Sequence, residues 1–497
     1  MIGALLLAAA IAAPHPKPHP TMAPSSQERS SVTHHSMTLD GKTLNYTATA
    51  GTLIIKNDKG KPEVSIFYTA FAQDGADRSH RPVTFIYNGG PGCATVPLRM
   101  AAFGPRRVSF AGVTPDGITP PYHLIDNQYT LLDKSDLVFI DAPGTGYSRL
   151  MPGIDPKDVY GLDQDAIAFA SFVDRYITLN DRWNSPKYLL GESYGTPRSA
   201  VLVNDLLNNQ SMAFNGVILL SSVLDFHTIV PGPGDDLSYV TFLPTEAAIH
   251  WYHDTSPNKG SLDATVSEAR AFAKGEYASA LMEGARLPHD EYMKVANELA
   301  KLTGTTEKYV ELADLRIQPQ RFMKELLRSG AENIGRYDGR FKGFDFDPVG
   351  DSQDWDASDA YTSPAMHSLF LNYTRNDLGW ISDETYSDCD GKINGGWDYT
   401  RKNGGNNWVA PSVSQDLQNA MTQNPQMRVF VGAGYYDMAT PFGAAEWTMS
   451  HLELQPPLQS HVQIHYYESG HMVYLNVDAL AKFHADLDKF FDETGGQ

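Results

Sequence analysis

The sequence is poor in cysteine, has no long block of charge of one sign and has no long hydrophobic run after its first residues. Two cysteines in 497 residues exclude a disulfide-rich scaffold. No period of about 20 to 50 residues recurs, which excludes a solenoid or a propeller. The net charge of −20 is spread along the chain, so neither a nucleic acid nor an anionic membrane is predicted as a partner.

Metal-binding patterns are missing as well. The histidines show neither a His-Glu-x-x-His motif nor the Cys/His spacing of a zinc site. Four aspartates crowd one segment, which lacks the glycine and the terminal glutamate of a calcium-binding EF-hand loop: Asp351, Asp354, Asp356 and Asp359. We therefore interpret this segment as a solvated acidic loop and predict neither a metal nor a cofactor.

The one long apolar run lies at the N terminus, where residues 2–13 are all apolar or small. The run is typical of a signal peptide, and it is too short to cross a bilayer as a helix. Residues 14–35 are rich in proline, histidine and serine, which predicts a disordered linker. We therefore expect a signal peptide over residues 1–13, no membrane span, and a secreted or periplasmic protein.

A Gly-x-Ser-x-Gly motif at residues 191–195 follows the strand-like residues 187–190. A strand that ends in this motif and continues into a helix forms a nucleophile elbow, in which a tight turn lifts the serine hydroxyl clear of the sheet. The glycines leave room for the turn and for the helix. Ser193 is therefore the candidate nucleophile.

A glycine-rich turn is the candidate oxyanion hole. Residues 88–92 read Asn-Gly-Gly-Pro-Gly and follow the strand-like residues 83–87. In α/β-hydrolases, one N–H of such a turn and the N–H of the residue after the nucleophile stabilise the oxyanion. We assign these two donors to Gly90 and Tyr194.

Two further strand ends carry an acid and a base. Residues 427–431 lead to Asp437, and residues 461–467 lead to His471. The chain order serine, aspartate, histidine is the order that α/β-hydrolases use, and the carboxyl ends of parallel strands meet at one edge of a sheet. We predict a catalytic triad of Ser193, Asp437 and His471, in which His471 is the base and Asp437 orients it.

Strand-like runs alternate with helical patterns through most of the chain. This alternation predicts an α/β-hydrolase fold, with a mainly parallel central sheet and helices on both faces. Residues 225–361 change to long helical segments with few strand signals. We interpret them as a helical cap over the active site, inserted between a first part of the hydrolase domain at 36–224 and a second part at 362–497.

Four blocks of the sequence resemble the serine carboxypeptidases, a family that removes single residues from peptide C termini at acidic pH. The blocks lie at residues 88–93, 141–148, 191–195 and 470–473, and they occur in the order of the family. Four blocks in order are far more specific than any one of them.

The resemblance implies a role for further residues. Asn88, Gly89 and Glu192 match the positions that hold the C-terminal carboxylate of the substrate, and Met472 matches a residue of the leaving-group pocket. A glutamic acid donates a hydrogen bond to a carboxylate only while it is protonated. Substrate binding is therefore expected to weaken as the pH rises.

The resemblance also implies a disulfide between Cys93 and Cys389. The chain departs from the family at two points, because Ile86 stands where the better-known members have a tryptophan and Ala102 stands where the family has its second glutamate. One donor to the substrate carboxylate is then missing. As a hypothesis, Arg106 or Arg107 supplies a permanent cation in its place.

The predicted function is a serine carboxypeptidase that acts on peptides with a free C terminus through an acyl-enzyme. Two alternatives stay open. An esterase or acyltransferase uses the same triad, because the serine chemistry is indifferent to whether the leaving group is an amine or an alcohol. A secreted binding protein without activity is the second alternative. The sequence indicates neither the oligomeric state nor the preferred side chains.

Overall fold

Ten strands form a central sheet within residues 27–110, 119–401 and 410–495, which are the residues that the computed structural model describes. Four further strands form two small hairpins. The strands are β1 (Ser30–Leu39), β2 (Lys42–Lys56), β3 (Pro62–Gln73), β4 (Val83–Tyr87), β5 (Arg106–Val108), β6 (Leu124–Asp126), β7 (Asp136–Ile140), β8 (Arg149–Leu150), β9 (Lys187–Glu192), β10 (Gly216–Leu220), β11 (Glu332–Ile334), β12 (Lys342–Phe344), β13 (Arg428–Gly434) and β14 (Val462–Tyr467).

The α-helices of the same ranges follow the strands in an α/β order until β10, after which helices predominate. They are α1 (Leu162–Leu179), α2 (Gly195–Gln210), α3 (Leu237–His253), α4 (Leu262–Phe272), α5 (Ala278–Glu283), α6 (His289–Thr303), α7 (Glu307–Leu312), α8 (Pro319–Glu325), α9 (Ala357–Asn376), α10 (Gly391–Gly395), α11 (Ser414–Gln423), α12 (Phe442–Ser450), α13 (Pro456–Gln459) and α14 (Val477–Thr494). None of the described helices has the length and apolar character needed to cross a bilayer.

The sheet is antiparallel on one side and parallel on the other. Its order is β1-β2-β3-β7-β4-β9-β10-β13-β14, and the short β8 pairs with β3. The pairs from β1 to β7 are antiparallel. The pairs from β7 through β4, β9, β10 and β13 to β14 are parallel. The predicted mainly parallel sheet is confirmed, and the loops after β4, β9, β13 and β14 leave it at one edge.

Alternating side chains cover the two faces of the sheet. On β13, Val429 and Val431 pack into an apolar cluster with α1, α2 and α11, whereas Phe430 packs into a second cluster with α9 and α14. Successive side chains of a strand point to opposite faces, so a buried parallel sheet needs apolar cover on both. Helices lie on both faces, as predicted.

The cap consists of helices α3 to α8 and the hairpin of β11 and β12. Its apolar side chains form a third cluster that includes Tyr436 and Met438, the neighbours of Asp437. The cap therefore packs directly on the loop that carries the predicted catalytic acid. The hairpin was not predicted, because strands of three residues leave no pattern in the sequence.

The predicted boundary between residues 361 and 362 falls inside α9, so the cap does not end there. The side chain of Asp356 caps this helix by accepting hydrogen bonds from the N–H groups of Ser358 and Asp359. Further along the same helix, Met366 and Phe370 pack into the core of the hydrolase domain. Part of the segment predicted as a solvated acidic loop is thus the start of a helix.

The predicted linker at 14–35 is too long at its C-terminal end. Ser30–Leu39 form β1, which pairs along its whole length with β2 at the edge of the sheet. Backbone hydrogen bonds hold an edge strand whatever its side chains, so its polar composition is a poor guide. The predicted signal peptide and linker residues 14–26 lie outside the described residues, whereas Glu28 forms an ion pair with Arg175.

Candidate active site

Strand β9 ends in a tight turn at Ser193. The φ angle of Ser193 is 59°, in the left-handed region that residues other than glycine rarely adopt. A Cβ at Gly191 would overlap the backbone of Gly195, so glycine is required where the strand meets helix α2. Ser193 N donates to Leu220 O at 3.0 Å and fixes the turn on strand β10. The half-buried serine therefore stands at the carboxyl end of the sheet, in the geometry of a nucleophile elbow.

Asp437 and His471 meet at the same edge of the sheet. His471 Nδ1 donates to Asp437 Oδ2 at 2.8 Å. Asp437 is fully buried, and its Oδ1 accepts from the N–H groups of Ala439 and Thr440 at 2.8 and 2.9 Å. Burial acts to lower the pKa of His471, but the Asp437 carboxylate outweighs burial and raises this pKa above its ordinary value. His471 and Ser193 line one cleft, so the structure brings the three predicted triad residues together.

The glycine-rich turn after β4 packs on the elbow. A Cβ at Gly89 would overlap the backbone nitrogen of Tyr194, so the two segments approach closely at this glycine. Gly90 has a φ angle of 108°. In the part of the chain that the structure describes, neither the N–H of Gly90 nor that of Tyr194 has a hydrogen-bond acceptor. Two free amides beside Ser193 suit the stabilisation of an oxyanion.

Asn88 and Glu192 form a buried pair that lines the same cleft. Asn88 Nδ2 donates to Glu192 Oε1 at 2.7 Å. Burial raises the pKa of Glu192 to about 7, because the charged carboxylate loses its solvation. Glu192 Oε2 makes no well-aligned hydrogen bond to a described residue, although the Tyr474 hydroxyl interacts with the same carboxyl group. A protonated Glu192 has a proton that it can donate to a ligand.

A disulfide joins the glycine-rich turn to the second half of the chain. Cys93 and Cys389 are bonded across 296 positions of the sequence, which is the pairing that the resemblance implied. Next to it, Ala94 N donates to Asp388 O at 2.6 Å. Met472 is buried and lines the cleft beside His471. Segments far apart in sequence therefore form the walls of the cleft.

The hypothesis that Arg106 or Arg107 replaces the missing glutamate is wrong. Arg106 Nε lies 3.1 Å from Asp126 Oδ1, and the guanidinium of Arg107 stacks on a tyrosine ring. Both arginines lie on β5, because the buried helical turn Leu98–Phe103 leads the chain away from the cleft. The arginine that lines the cleft is Arg336, which comes from the cap.

A turn of the cap that was not predicted from the sequence holds the loop of His471. The ring of Tyr337 packs against the imidazole of His471 with centroids 5.2 Å apart, and Tyr337 O accepts from His471 N at 2.5 Å. Asp338 Oδ2 accepts from Gly470 N at 3.1 Å and forms an ion pair with Arg340 at 2.6 Å. Asp338 and Gly470 are 132 positions apart, so no local pattern indicates the contact.

The chain belongs to the serine carboxypeptidase family, because the model of that family matches residues 41–475. The pheromone-processing carboxypeptidase KEX1 of Candida dubliniensis is 24% identical over 197 residues, which are 38% of this chain and 26% of that protein. The serine carboxypeptidase ctsa-3.2 of Caenorhabditis elegans is 26% identical over 187 residues, which are 35% of this chain and 31% of that protein. The matched segments therefore span only about a quarter to a third of these relatives.

Solved structures show distant similarity over most of the chain. Est816, described as an N-acyl homoserine lactone degrading enzyme, is 10% identical with a TM-score of 0.36, and the match covers 88% of this chain and all of that one. A soluble variant of monoglyceride lipase from Saccharomyces cerevisiae is also 10% identical with a TM-score of 0.36, over 90% of this chain and 96% of that one. The assignment of the α/β-hydrolase fold rests on the order of the sheet and on the family.

Proposed function

We propose that this protein is a serine carboxypeptidase that releases C-terminal residues from peptides. The observation that carries the proposal is the buried pair of Asn88 and Glu192 in the cleft of Ser193. An esterase requires the triad and the two amides, but it does not require a carboxylic acid beside them. An enzyme that recognises a free C terminus requires a group that binds a carboxylate, and a protonated Glu192 is such a group.

The reaction is an acyl transfer. Ser193 Oγ attacks the last peptide carbonyl while His471 accepts its proton and Asp437 orients the imidazole. The N–H groups of Gly90 and Tyr194 stabilise the oxyanion. The protonated histidine then gives its proton to the leaving amine, and water releases the acyl-enzyme.

The pH dependence follows from two groups in the cleft. Protonated His471 cannot accept the serine proton, so activity falls as the pH drops below its raised pKa. Ionised Glu192 repels the substrate carboxylate, so activity falls as the pH rises through about 7. We therefore expect a bell-shaped profile, whose alkaline side disappears for a substrate without a terminal carboxylate.

The test compares an N-blocked dipeptide with its C-terminal amide. Wild-type protein should cleave the acid much faster than the amide below pH 7, and Ser193→Ala should abolish turnover while the unfolding midpoint stays unchanged. Equal turnover of acid and amide, with faster cleavage of esters, would instead identify an esterase. Absence of any turnover and of labelling by a serine-directed phosphonate would contradict an enzymatic role.

We also infer that the protein is exported. The apolar N-terminal run supports a signal peptide, and the pairing of Cys93 with Cys389 fits an oxidising compartment. Expression with the natural N terminus should yield protein in the periplasm or the medium, with a new N terminus close to residue 14. Uncleaved protein that stays in the cytoplasm with free thiols would contradict this inference.

A further inference from the structure

Ser193 lies between two clefts. The first, which we call the leaving-residue cleft, is lined by Asn88, Glu192 and Met472. The second, which we call the acyl-side cleft, is lined by Val223, Phe226, Ile229, Val230, Tyr399 and Arg336 together with Tyr194. Both clefts reach Ser193, Gly90 and Arg336, so the arginine lies where the two clefts meet.

The two clefts have different roles if the protein is a carboxypeptidase, and the inference rests on that proposed function. The pair that binds the terminal carboxylate lines only the leaving-residue cleft. The C-terminal residue of a peptide therefore occupies that cleft when the carbonyl group of the residue before it lies at Ser193. The penultimate residue, which becomes the acyl group, then extends into the acyl-side cleft.

The acyl-side cleft has a single charge. Among its described lining residues, Arg336 is the only charged side chain, and the others are apolar, aromatic or neutral. No carboxylate of the described residues lies within ion-pair distance of Arg336, although its guanidinium is 5.3 Å from the ring centroid of Tyr337. A guanidinium beside apolar walls attracts an anion more strongly than one fully surrounded by water. The Asp356 carboxylate interacts with Arg336 at longer range and offsets only part of this attraction.

The backbone of Arg336 is held in place on both sides. Arg336 N donates to Asp356 Oδ1 at 3.2 Å, and Arg336 O accepts from Met438 N at 3.1 Å. Met438 follows the catalytic Asp437 in sequence. The arginine is therefore anchored to the loop of the triad, and its position relative to the scissile bond is defined.

We propose that Arg336 selects peptides with an acidic penultimate residue. The methylene groups of a glutamate fit against Phe226 and Ile229, and its carboxylate pairs with the guanidinium through charge-assisted hydrogen bonds. The leaving-residue cleft carries both signs of charge, because Asp359 and Asp388 line it together with Arg336 and His367. The acyl-side cleft has only the positive charge of Arg336 among its described lining residues, so an acidic side chain is favoured there.

The test uses four N-blocked dipeptides with leucine at the C terminus and glutamate, glutamine, leucine or lysine before it. Glutamate and glutamine have the same shape, so the ratio of their kcat/KM values isolates the charge. We expect a ratio of about 10 for wild-type protein, since a charged hydrogen bond at a partly exposed site contributes that much. The ratio should fall to about 1 in Arg336→Gln, and in Arg336→Glu the lysine peptide should be cleaved faster than the glutamine peptide.

A matched control is Arg321→Gln. Arg321 is another exposed arginine of the cap, pairs with Asp351 at 3.2 Å and lines neither cleft, so this variant should keep the wild-type ratio. A wild-type ratio of 1 or less, or a ratio that Arg336→Gln leaves unchanged, would overturn the inference while cleavage of the leucine peptide still supports a carboxypeptidase. Failure to cleave all four peptides would overturn the proposed function itself.

Discussion

Glu192 in the active site and Glu246 in the cap are equally buried, with 3% of each residue exposed. Burial raises the pKa of both carboxyl groups, to about 7 for Glu192 and to about 8 for Glu246. The two carboxyl groups differ in whether a ligand can reach them. Glu192 pairs with Asn88 and lines a cleft, whereas Glu246 lies on α3 inside the cap and its Oε1 makes no hydrogen bond to a described residue.

This comparison shows that a raised pKa does not by itself locate an active site. Under the proposed function, the proton of Glu192 is offered to a ligand, so its pKa is expected to control binding. Glu246 lines neither cleft at Ser193, so its raised pKa is expected to act on the stability of the fold. Changes near Glu192 should therefore alter catalysis, and changes at Glu246 should alter unfolding.

The largest effect is expected on the catalytic side, from Asp437→Asn. The amide cannot hold His471 in the tautomer that accepts the serine proton, so kcat should fall by about 10⁴-fold while the fold stays intact. Steady-state kinetics with a blocked dipeptide and a urea unfolding curve measure the two properties. A loss of activity matched by a loss of folded protein would mean that Asp437 acts on stability instead.

The next largest effect is expected in the cap, from Glu246→Gln. In the wild type, the neutral carboxyl group contributes fully to the stability of the fold below its ordinary pKa of 4.5. This contribution is lost as the pH rises through about 8, because the folded state resists ionisation. The free energy of unfolding of the variant minus that of the wild type should therefore increase by about 4 kcal/mol across this pH range.

Urea unfolding at several pH values measures this gain, and kcat should be the same in variant and wild type. Glu276→Gln, a change at an exposed glutamate of the cap, is the control and should give no pH-dependent difference. A constant difference between Glu246→Gln and wild type at all pH values would show that the carboxyl group ionises normally.

A tenfold effect is expected from Glu192→Gln. The amide donates a hydrogen bond at every pH, as protonated Glu192 does only below about pH 7. For a substrate with a terminal carboxylate, kcat/KM of the variant should exceed that of the wild type by about tenfold one pH unit above this pKa, because about a tenth of the wild type is protonated there. Below the pKa the two proteins should be similar.

The pH profile of kcat/KM is the measurement for Glu192, and the C-terminal amide of the same dipeptide is the control substrate. Glu192→Ala should lose activity toward the carboxylate at every pH. If Glu192→Gln keeps the wild-type alkaline limb, the limb arises from another group.

The smallest effect is expected from Asp338→Asn, where the cap contacts the loop of His471. This change keeps an acceptor for Gly470 N but removes the charge that pairs with Arg340. A looser histidine loop should lower kcat by about threefold with KM unchanged, which corresponds to the loss of part of one hydrogen bond. Asp351→Asn, at an exposed aspartate, should change neither parameter. A change in KM alone would place Asp338 in substrate binding.

Much of the hydrolase domain could be predicted from the sequence, because short local patterns indicate its strands and motifs. A strand that is buried on both faces is a short apolar run, and Val83–Tyr87 matches the predicted strand residue for residue. The predicted elbow, glycine-rich turn, acid and base each follow such a strand. Parallel strands leave the sheet at one edge, so their positions relative to one another follow from the fold.

From the sequence, the cap could be predicted only as a helical region. Arg336, Tyr337 and Asp338 lie in the turn of a hairpin with strands of three residues, which no periodicity indicates. The roles of Arg106 and Arg107 were predicted wrongly for a related reason. A buried helical turn redirects the chain before them, and such a turn depends on packing against distant residues.

The α/β-hydrolase fold, the family and the residues proposed for the triad, the two amides and the carboxylate pair all follow from the sequence. Each of these depends on a short motif or on the repetition of strand and helix, which near neighbours along the chain define. Contacts in the folded chain place Arg336 beside Ser193 and hold the loop of His471 against the cap. They also bring Glu192, but not Glu246, to the lining of the two clefts at Ser193. Those properties depend on contacts between residues far apart in the chain, and burial and access exist only after the chain has folded.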